Sequence, residues 1–151
     1  MEGKVISTNF VESAVVNAPV SAIWPFIKLK EFGKFYSAIQ KVETIPGERE
    51  TVKWYFENDT ILTLQEEEYS TVKKSMSFNI IKCEPWGLPY TGALSTLRLY
   101  PITSGDAKGK TYVEWRGQYS SDATADIIED AKLKRREGLA DLAKYFENKS
   151  I

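Results

Sequence analysis

The sequence contains no histidine and a single cysteine, Cys83. The first absence removes Ser-His-Asp and Cys-His nucleophilic machinery, the commonest metal ligand and the usual proton shuttle at neutral pH. The second excludes an intramolecular disulfide and a cysteine-rich zinc site. Any chemistry must therefore use carboxylate, Lys, Tyr or Arg, and neither a metal nor another cofactor is expected. No stretch approaches the roughly 20 apolar residues needed to span a bilayer. The opening MEGKVISTNF lacks the apolar core of a secretory signal. A cytoplasmic location without an integral membrane segment is the resulting expectation. Net charge is scarce too: 20 basic residues against 21 acidic ones leave no overall field to draw nucleic acid or an anionic membrane surface.

What is present suits one soluble domain spanning 1–151. The chain is 42% hydrophobic and 27% charged, a composition that argues against disorder. Residues 10–18 are rich in β-branched types and end at Asn17-Ala18-Pro19. Val20, Ile23, Trp24 and Ile27 have the spacing of a short amphipathic helix limited by Pro25, and a second short segment follows over 32–39. From Gln40 to Tyr119 the period changes to two, with strands over 40–46, 50–57, 60–71, 75–82, 93–102 and 111–120. The connections are short, so the sheet is expected to be antiparallel.

Residues 121–148 contain no proline and read as one long helix, with Asp122 as its N-cap. Ile127, Ile128, Ala131, Leu139, Leu142, Ala143 and Phe146 form its apolar face. Gly138 interrupts that face, which points to close packing against a strand or to a local bend. The expected class is α+β. A curved seven-stranded antiparallel sheet must cover its apolar face, and the terminal helix is the only element long enough to do so. Where the side chains between sheet and helix fail to fill the gap, a cavity remains.

At this point the chain resembles the START/Bet v 1-like (SRPBCC) superfamily of polyketide cyclase/dehydrase and lipid-transport proteins. The resemblance is carried by VVNAPVSAIWPFI at 15–27, FGKFYSAIQKVE at 32–43, GLPYTGALSTLRLYPI at 87–102, YVEWRGQY at 112–119 and GLADLAKYF at 138–146. It implies a helix-grip fold and a small hydrophobic ligand held between sheet and long helix. Plant abscisic-acid receptors in this superfamily also carry a Gly-Leu-Pro loop. Here Gly87-Leu88-Pro89 lies on a different connection and the histidine-bearing latch is missing, so a hormone-receptor role is disfavoured.

Alternation assigns the inward faces. Met76, Phe78 and Ile80 share one face of the fifth strand; Ser95, Leu97 and Leu99 share one face of the sixth. Val113, Trp115, Gly117 and Tyr119 share one face of the seventh. Each is either cavity wall or plain core, since both have the same composition. The third strand is ambiguous. Hydrophobicity turns Val52, Trp54 and Phe56 inward, whereas the resemblance, with a basic residue of this strand inside the cavity, puts Lys53 and Tyr55 there. We follow the resemblance, which leaves Trp54 and Phe56 exposed and hints at a homodimer surface.

In the fourth strand Leu62, Leu64 and Glu66 share a face. A Lys53–Glu66 pair would be a polar anchor or an acid/base couple; otherwise Glu66 belongs to the solvated run Glu66-Glu67-Glu68. The lachrymatory-factor synthase branch is similar here but uses Arg where this chain has Lys53, losing the guanidinium fork. The aromatic loop from Cys83 to Gly92 reads as a lid carrying Trp86 and Tyr90, with Phe35 and Tyr36 facing it, or else as a plug of the barrel end. Cys83 reads as an inert thiol. The cluster Lys132, Lys134, Arg135 and Arg136 is the solvent face of the helix, from which Arg135 alone could turn inward.

Ligand contacts are thus expected at Tyr36, Lys53, Tyr55, Leu64, Glu66, Met76, Phe78, Ile80, Trp86, Tyr90, Leu97, Val113, Trp115, Ile128, Ala131 and Arg135. Three functions fit. The leading one is a carrier or sensor of a hydrophobic lipid or polyketide-like metabolite. The others are a cyclase, dehydratase or isomerase using Glu66, Lys53 and Tyr90, and an interaction module similar to the superfamily's co-chaperone activators.

Overall fold

The computed structural model describes residues 7–149; most of the opening segment read for a secretory signal lies outside them. Seven strands form one curved sheet: β1 (Asn9–Val16), β2 (Ile39–Ile45), β3 (Thr51–Phe56), β4 (Ile61–Ser70), β5 (Ser75–Glu84), β6 (Ala93–Pro101) and β7 (Thr111–Tyr119). Their order is β1-β7-β6-β5-β4-β3-β2, with every neighbouring pair antiparallel. Between β1 and β2 the chain forms α1 (Val20–Ile23), a 3-10 turn over Trp24–Phe26 and a 3-10 stretch over Leu29–Lys34. The long helix α2 (Ala125–Lys149) closes the fold. This is the expected α+β helix-grip architecture.

Two local expectations are corrected. The second short helix begins at Leu29, because Leu29 and Phe32 are both buried and a three-residue turn aligns residues three apart on one side. Asp122 is not the cap of α2. That position falls to Thr124, whose carbonyl accepts the Ile128 N–H at 3.0 Å and whose hydroxyl faces the Ile127 N–H at 3.5 Å. Asp122 is turned away by nearer donors: it accepts from the Thr91 N–H at 3.0 Å, the Thr91 hydroxyl at 2.7 Å and the Ser120 hydroxyl.

The register arranges the inner face of the sheet in levels. Phe10, Gly117, Ser95 and Phe78 lie opposite one another; Glu12, Trp115, Leu97 and Met76 form the next level; Ala14, Val113 and Leu99 lie beyond. Directly opposed residues point to the same face, so each level is a row of side chains beneath α2. Leu139, Leu142 and Phe146 of α2 join Val16, Ile23, Ile27, Leu99 and Val113 in one buried cluster. Ile128 and Ala131, nearer the helix start, pack with Ala93 and Tyr119 in a second, smaller one. Gly138 lies against the sheet: a Cβ there would come 2.9 Å from a ring carbon of Trp115.

Candidate ligand-binding cavity

A cavity of about 640 Å3 lies beneath the first half of α2, within the roughly 300–1,000 Å3 span of small-molecule sites. Its walls are mostly apolar and aromatic: Trp54 and Phe56 of β3, Leu62 and Leu64 of β4, Phe78 and Ile80 of β5, Trp115 and Tyr119 of β7, and Tyr36. The void has a local cause. On the Phe78 level two of the four residues are Ser95 and Gly117, and Ala93 and Ala131 are the neighbouring small residues. Phe10 fills part of the space: its ring lies where a side chain on Gly117 would be, 2.5 Å from the place a Cβ would occupy.

Into this gap α2 delivers Arg135. It lies on the same helical stripe as Ile128, Ala131, Leu139 and Leu142, and only 5% of its surface is exposed. One terminal nitrogen donates to the Ala131 carbonyl at 3.1 Å and to the Tyr119 hydroxyl at 3.3 Å; the other donates to the Ser95 hydroxyl. The guanidinium carbon lies 5.0 Å from the ring centre of Phe10, 5.5 Å from Tyr119 and 5.6 Å from Trp115. Aromatic faces stabilise a desolvated cation, yet no carboxylate pairs with Arg135 among the described residues. Its Nε is buried without a partner, and so is Nε1 of Trp115.

The mouth has the opposite charge. Its exposed residues include Glu57, Asp126, Asp130 and Glu137, with Lys134 the lining lysine, and Lys134 is paired with Asp130 at 3.1 Å. The β5–β6 loop forms one lip. Trp86 at its tip is 78% exposed, whereas Tyr90 folds inward, edge-on to Tyr119 at 4.9 Å between ring centres. The loop thus edges the mouth through Trp86 and fills space through Tyr90. Burial, followed by the neighbouring Tyr119, pushes the Tyr90 phenol well above its ordinary pKa. Tyr90 therefore stays protonated at neutral pH, a donor rather than a base. Asp122 fastens the far end of this loop through Thr91. The Ser120 and Thr91 hydrogen bonds hold its carboxyl at about 2. Cys83 also lines the cavity, and burial raises its thiol pKa, so little thiolate exists at neutral pH.

Of the residues singled out from the sequence, the structure places Tyr36, Leu64, Phe78, Ile80, Trp86, Tyr90, Trp115, Ala131 and Arg135 on the cavity wall. Met76, Leu97, Val113 and Ile128 face inward but are packed in filled core. Lys53 and Tyr55 require correction. In register Lys53 opposes Glu43 and Thr63, on the outer face, with its amine 4.0 Å from Glu84; the Tyr55 hydroxyl donates to Glu43 at 2.6 Å. Trp54 takes the inward position instead, 3% exposed, stacked on Phe32 and donating its indole N–H to the Leu29 carbonyl at 3.0 Å. The reason is burial: an inward Lys53 would desolvate a charge while leaving two large aromatic side chains in water.

The exposed Trp54–Phe56 pair on which a dimer surface and an interaction module rested is accordingly absent. Glu66 opposes Phe78 and shares the inner face, but it lies off the cavity wall. Its carboxyl pKa is raised by burial and then by Glu50, with Lys28 opposing. Lys53 and Glu66 stand on opposite faces, so the acid/base couple does not exist. Sequence reasoning missed Trp54, Phe56 and the acidic rim. Hydrophobic alternation in β3 carried the signal for the first two; Asp126, Asp130, Lys134 and Glu137 follow helical spacing beside Ala131 and Arg135. Among the described residues no group of three or more Cys, Asp or Glu side chains is arranged to hold a metal ion, and no helix is long and apolar enough to cross a membrane.

No family model and no curated protein matches the chain. Solved structures do. A protein from Nitrosospira multiformis aligns over 94% of this chain and 99% of its own, with a TM-score of 0.79 and 23% identity. The di-domain ARO/CYC protein BexL of the BE-7585A biosynthetic pathway aligns over 90% of this chain and 45% of its own, at 0.72 and 14%. Ara h 8.0201 aligns over 93% and 97%, at 0.69 and 15%. At such identities the likeness is one of backbone. The chain shares the helix-grip fold of these structures.

Proposed function

We propose that the protein binds a small, predominantly apolar molecule in the cavity beneath α2 and acts as its carrier or sensor. The observation that carries this reading is the cavity itself: about 640 Å3, walled by aromatic and aliphatic side chains and open to solvent past Trp86 and the acidic rim. The ARO/CYC neighbour, a protein of a biosynthetic pathway, is consistent with a fold that accommodates such molecules. An acid/base catalyst built on Lys53 and Glu66 has lost its geometry, and Tyr90 is a phenol held protonated.

Trp54, Trp86 and Trp115 line the cavity, so occupancy is readable from intrinsic fluorescence. Titration with N-phenyl-1-naphthylamine, an uncharged aromatic probe, is expected to quench tryptophan emission saturably. At a hundredfold excess over its dissociation constant it should stabilise the fold by about 2.7 kcal/mol, or roughly 5–10 °C in melting temperature. Native mass spectrometry of freshly purified protein is the companion measurement. No co-purified guest, no quenching and no thermal shift together would end the carrier reading.

A further inference from the structure

Resting on that reading, we propose that the natural guest is a hydrophobic monocarboxylate whose carboxylate is received by Arg135. A guanidinium offers five N–H donors. Ala131, Tyr119 and Ser95 take three, leaving two, one of them the buried and unpartnered Nε. Trp115, whose ring lies 5.6 Å from the guanidinium carbon, adds a second unpartnered donor, Nε1. Both residues line the cavity. The buried polar groups there are thus donor-rich and carry one uncompensated positive charge, and the missing complement is an anionic acceptor.

Neutral hydrogen-bond acceptors satisfy this site less well. A buried cation with no counter-charge is costly, and most of that cost is removed when a carboxylate joins it, because the charged pair forms where water does not compete. The acidic rim argues against the other obvious anion, a phosphate ester. Glu57, Asp126, Asp130 and Glu137 outnumber the single lysine at the mouth and repel a dianion more than a monoanion. Exposed rim charges are screened within about 8–10 Å at ordinary salt, so they discriminate between anions without overriding Arg135. The shape of the cavity supplies the rest: its apolar bulk takes the hydrocarbon or ring body, and its one charged wall takes the head.

The test is competition for the cavity with N-phenyl-1-naphthylamine as reporter. Dodecanoate, methyl dodecanoate and dodecyl phosphate share one chain and differ only in the head. In the wild type, dodecanoate is expected to bind at least roughly tenfold more tightly than its ester, the span of a charge-assisted hydrogen bond, and more tightly than the phosphate. Arg135→Met should bring the acid-to-ester ratio near one. Arg135→Lys, which keeps the charge and loses the fork, should give an intermediate ratio and serves if Arg135→Met does not fold. A wild-type ratio near one, or a ratio unaltered in both variants, overturns the carboxylate assignment while leaving cavity binding intact. Preference for the phosphate overturns it in favour of a phosphorylated lipid. Failure of the reporter and of all three competitors to bind overturns both this inference and the carrier reading.

Discussion

The two ends of the space beneath α2 are built from one helix and one sheet, yet one is full and the other is hollow. Toward the helix C-terminus, Leu139, Leu142 and Phe146 meet Ile23, Ile27, Leu99 and Val113, and Phe26 contacts Phe146 edge-on at 5.4 Å between ring centres. Toward the N-terminus the stripe offers Ala131 and Arg135, and the sheet offers Ala93, Ser95 and Gly117. The hydrophobic pattern is continuous across both. What changes is side-chain volume, together with the short helical segments between β1 and β2, whose Ile23 and Ile27 join the closed end's cluster while Phe32 backs the cavity wall against Trp54, Phe78 and Trp115. Stability and binding are therefore separable along one helix, and each can be attacked alone.

Emptying the closed end should have the largest effect. Leu142→Ala is expected to cost about 3–5 kcal/mol, the range for a large aliphatic side chain removed from a packed core. Urea unfolding measures the loss, and probe affinity should stay within about threefold while the variant is folded, since sites without shared partners act independently. Filling the open end should do the reverse. Ile80→Trp places a larger ring against the cavity and should weaken probe binding by roughly ten- to a hundredfold, the equivalent of a 1–3 kcal/mol overpacking cost, with little change in the unfolding midpoint. An Ile80→Trp variant that lost stability and kept its affinity would contradict the division.

Gly138→Ala probes the boundary, since the glycine lets α2 rest on Trp115, which lines the cavity. An added Cβ would meet the Trp115 ring at 2.9 Å, and that buried ring must shift. Helix propensity favours alanine by about 1 kcal/mol, which offsets part of the overpacking cost of about 1–3 kcal/mol. The net loss expected is therefore small, about 1 kcal/mol, whereas the displaced ring should alter probe affinity and tryptophan emission together.

The architecture is legible in the sequence because its signals are periodic and local: alternation marks the strands from β2 to β7, and a proline-free amphipathic run marks α2. Gly138 is readable as a close approach for the same reason. The cavity is less legible. Alternation tells which face a residue shares, not how far along the strand the filling stops, so Met76 and Leu97 cannot be separated from Phe78 and Ser95 without the level at which small residues coincide. In β3 the chain's own pattern, Val52, Trp54 and Phe56, indicates the correct phase, and the resemblance points the other way. Asp122 imitates a cap because it is an acidic residue just before a helix; the donors that claim it, on Thr91 and Ser120, are distant in sequence or belong to the turn. Arg135 is marked by its place on an apolar stripe, but its lack of a counter-charge needs coordinates.

Side-chain hydrogen bonds tie α2 to the rest of the molecule along its second half. The Tyr36 hydroxyl donates to the Lys134 carbonyl, Arg135 donates to Ser95 and Tyr119, Arg136 joins Glu12 of β1, and Ser37 donates twice to Asp141. These bonds lie at or beyond residue 134. The rod is held by hydrogen bonds along its distal stretch, whereas its opening turns are held by the apolar contacts of Ile128 and Ala131 with Ala93 and Tyr119 and by Asp122 on Thr91 just before them. Apolar contacts are non-directional, so a guest that displaced Ile128 or Ala131 slightly would leave the hydrogen-bonded stretch, and the packing that keeps the protein folded, untouched.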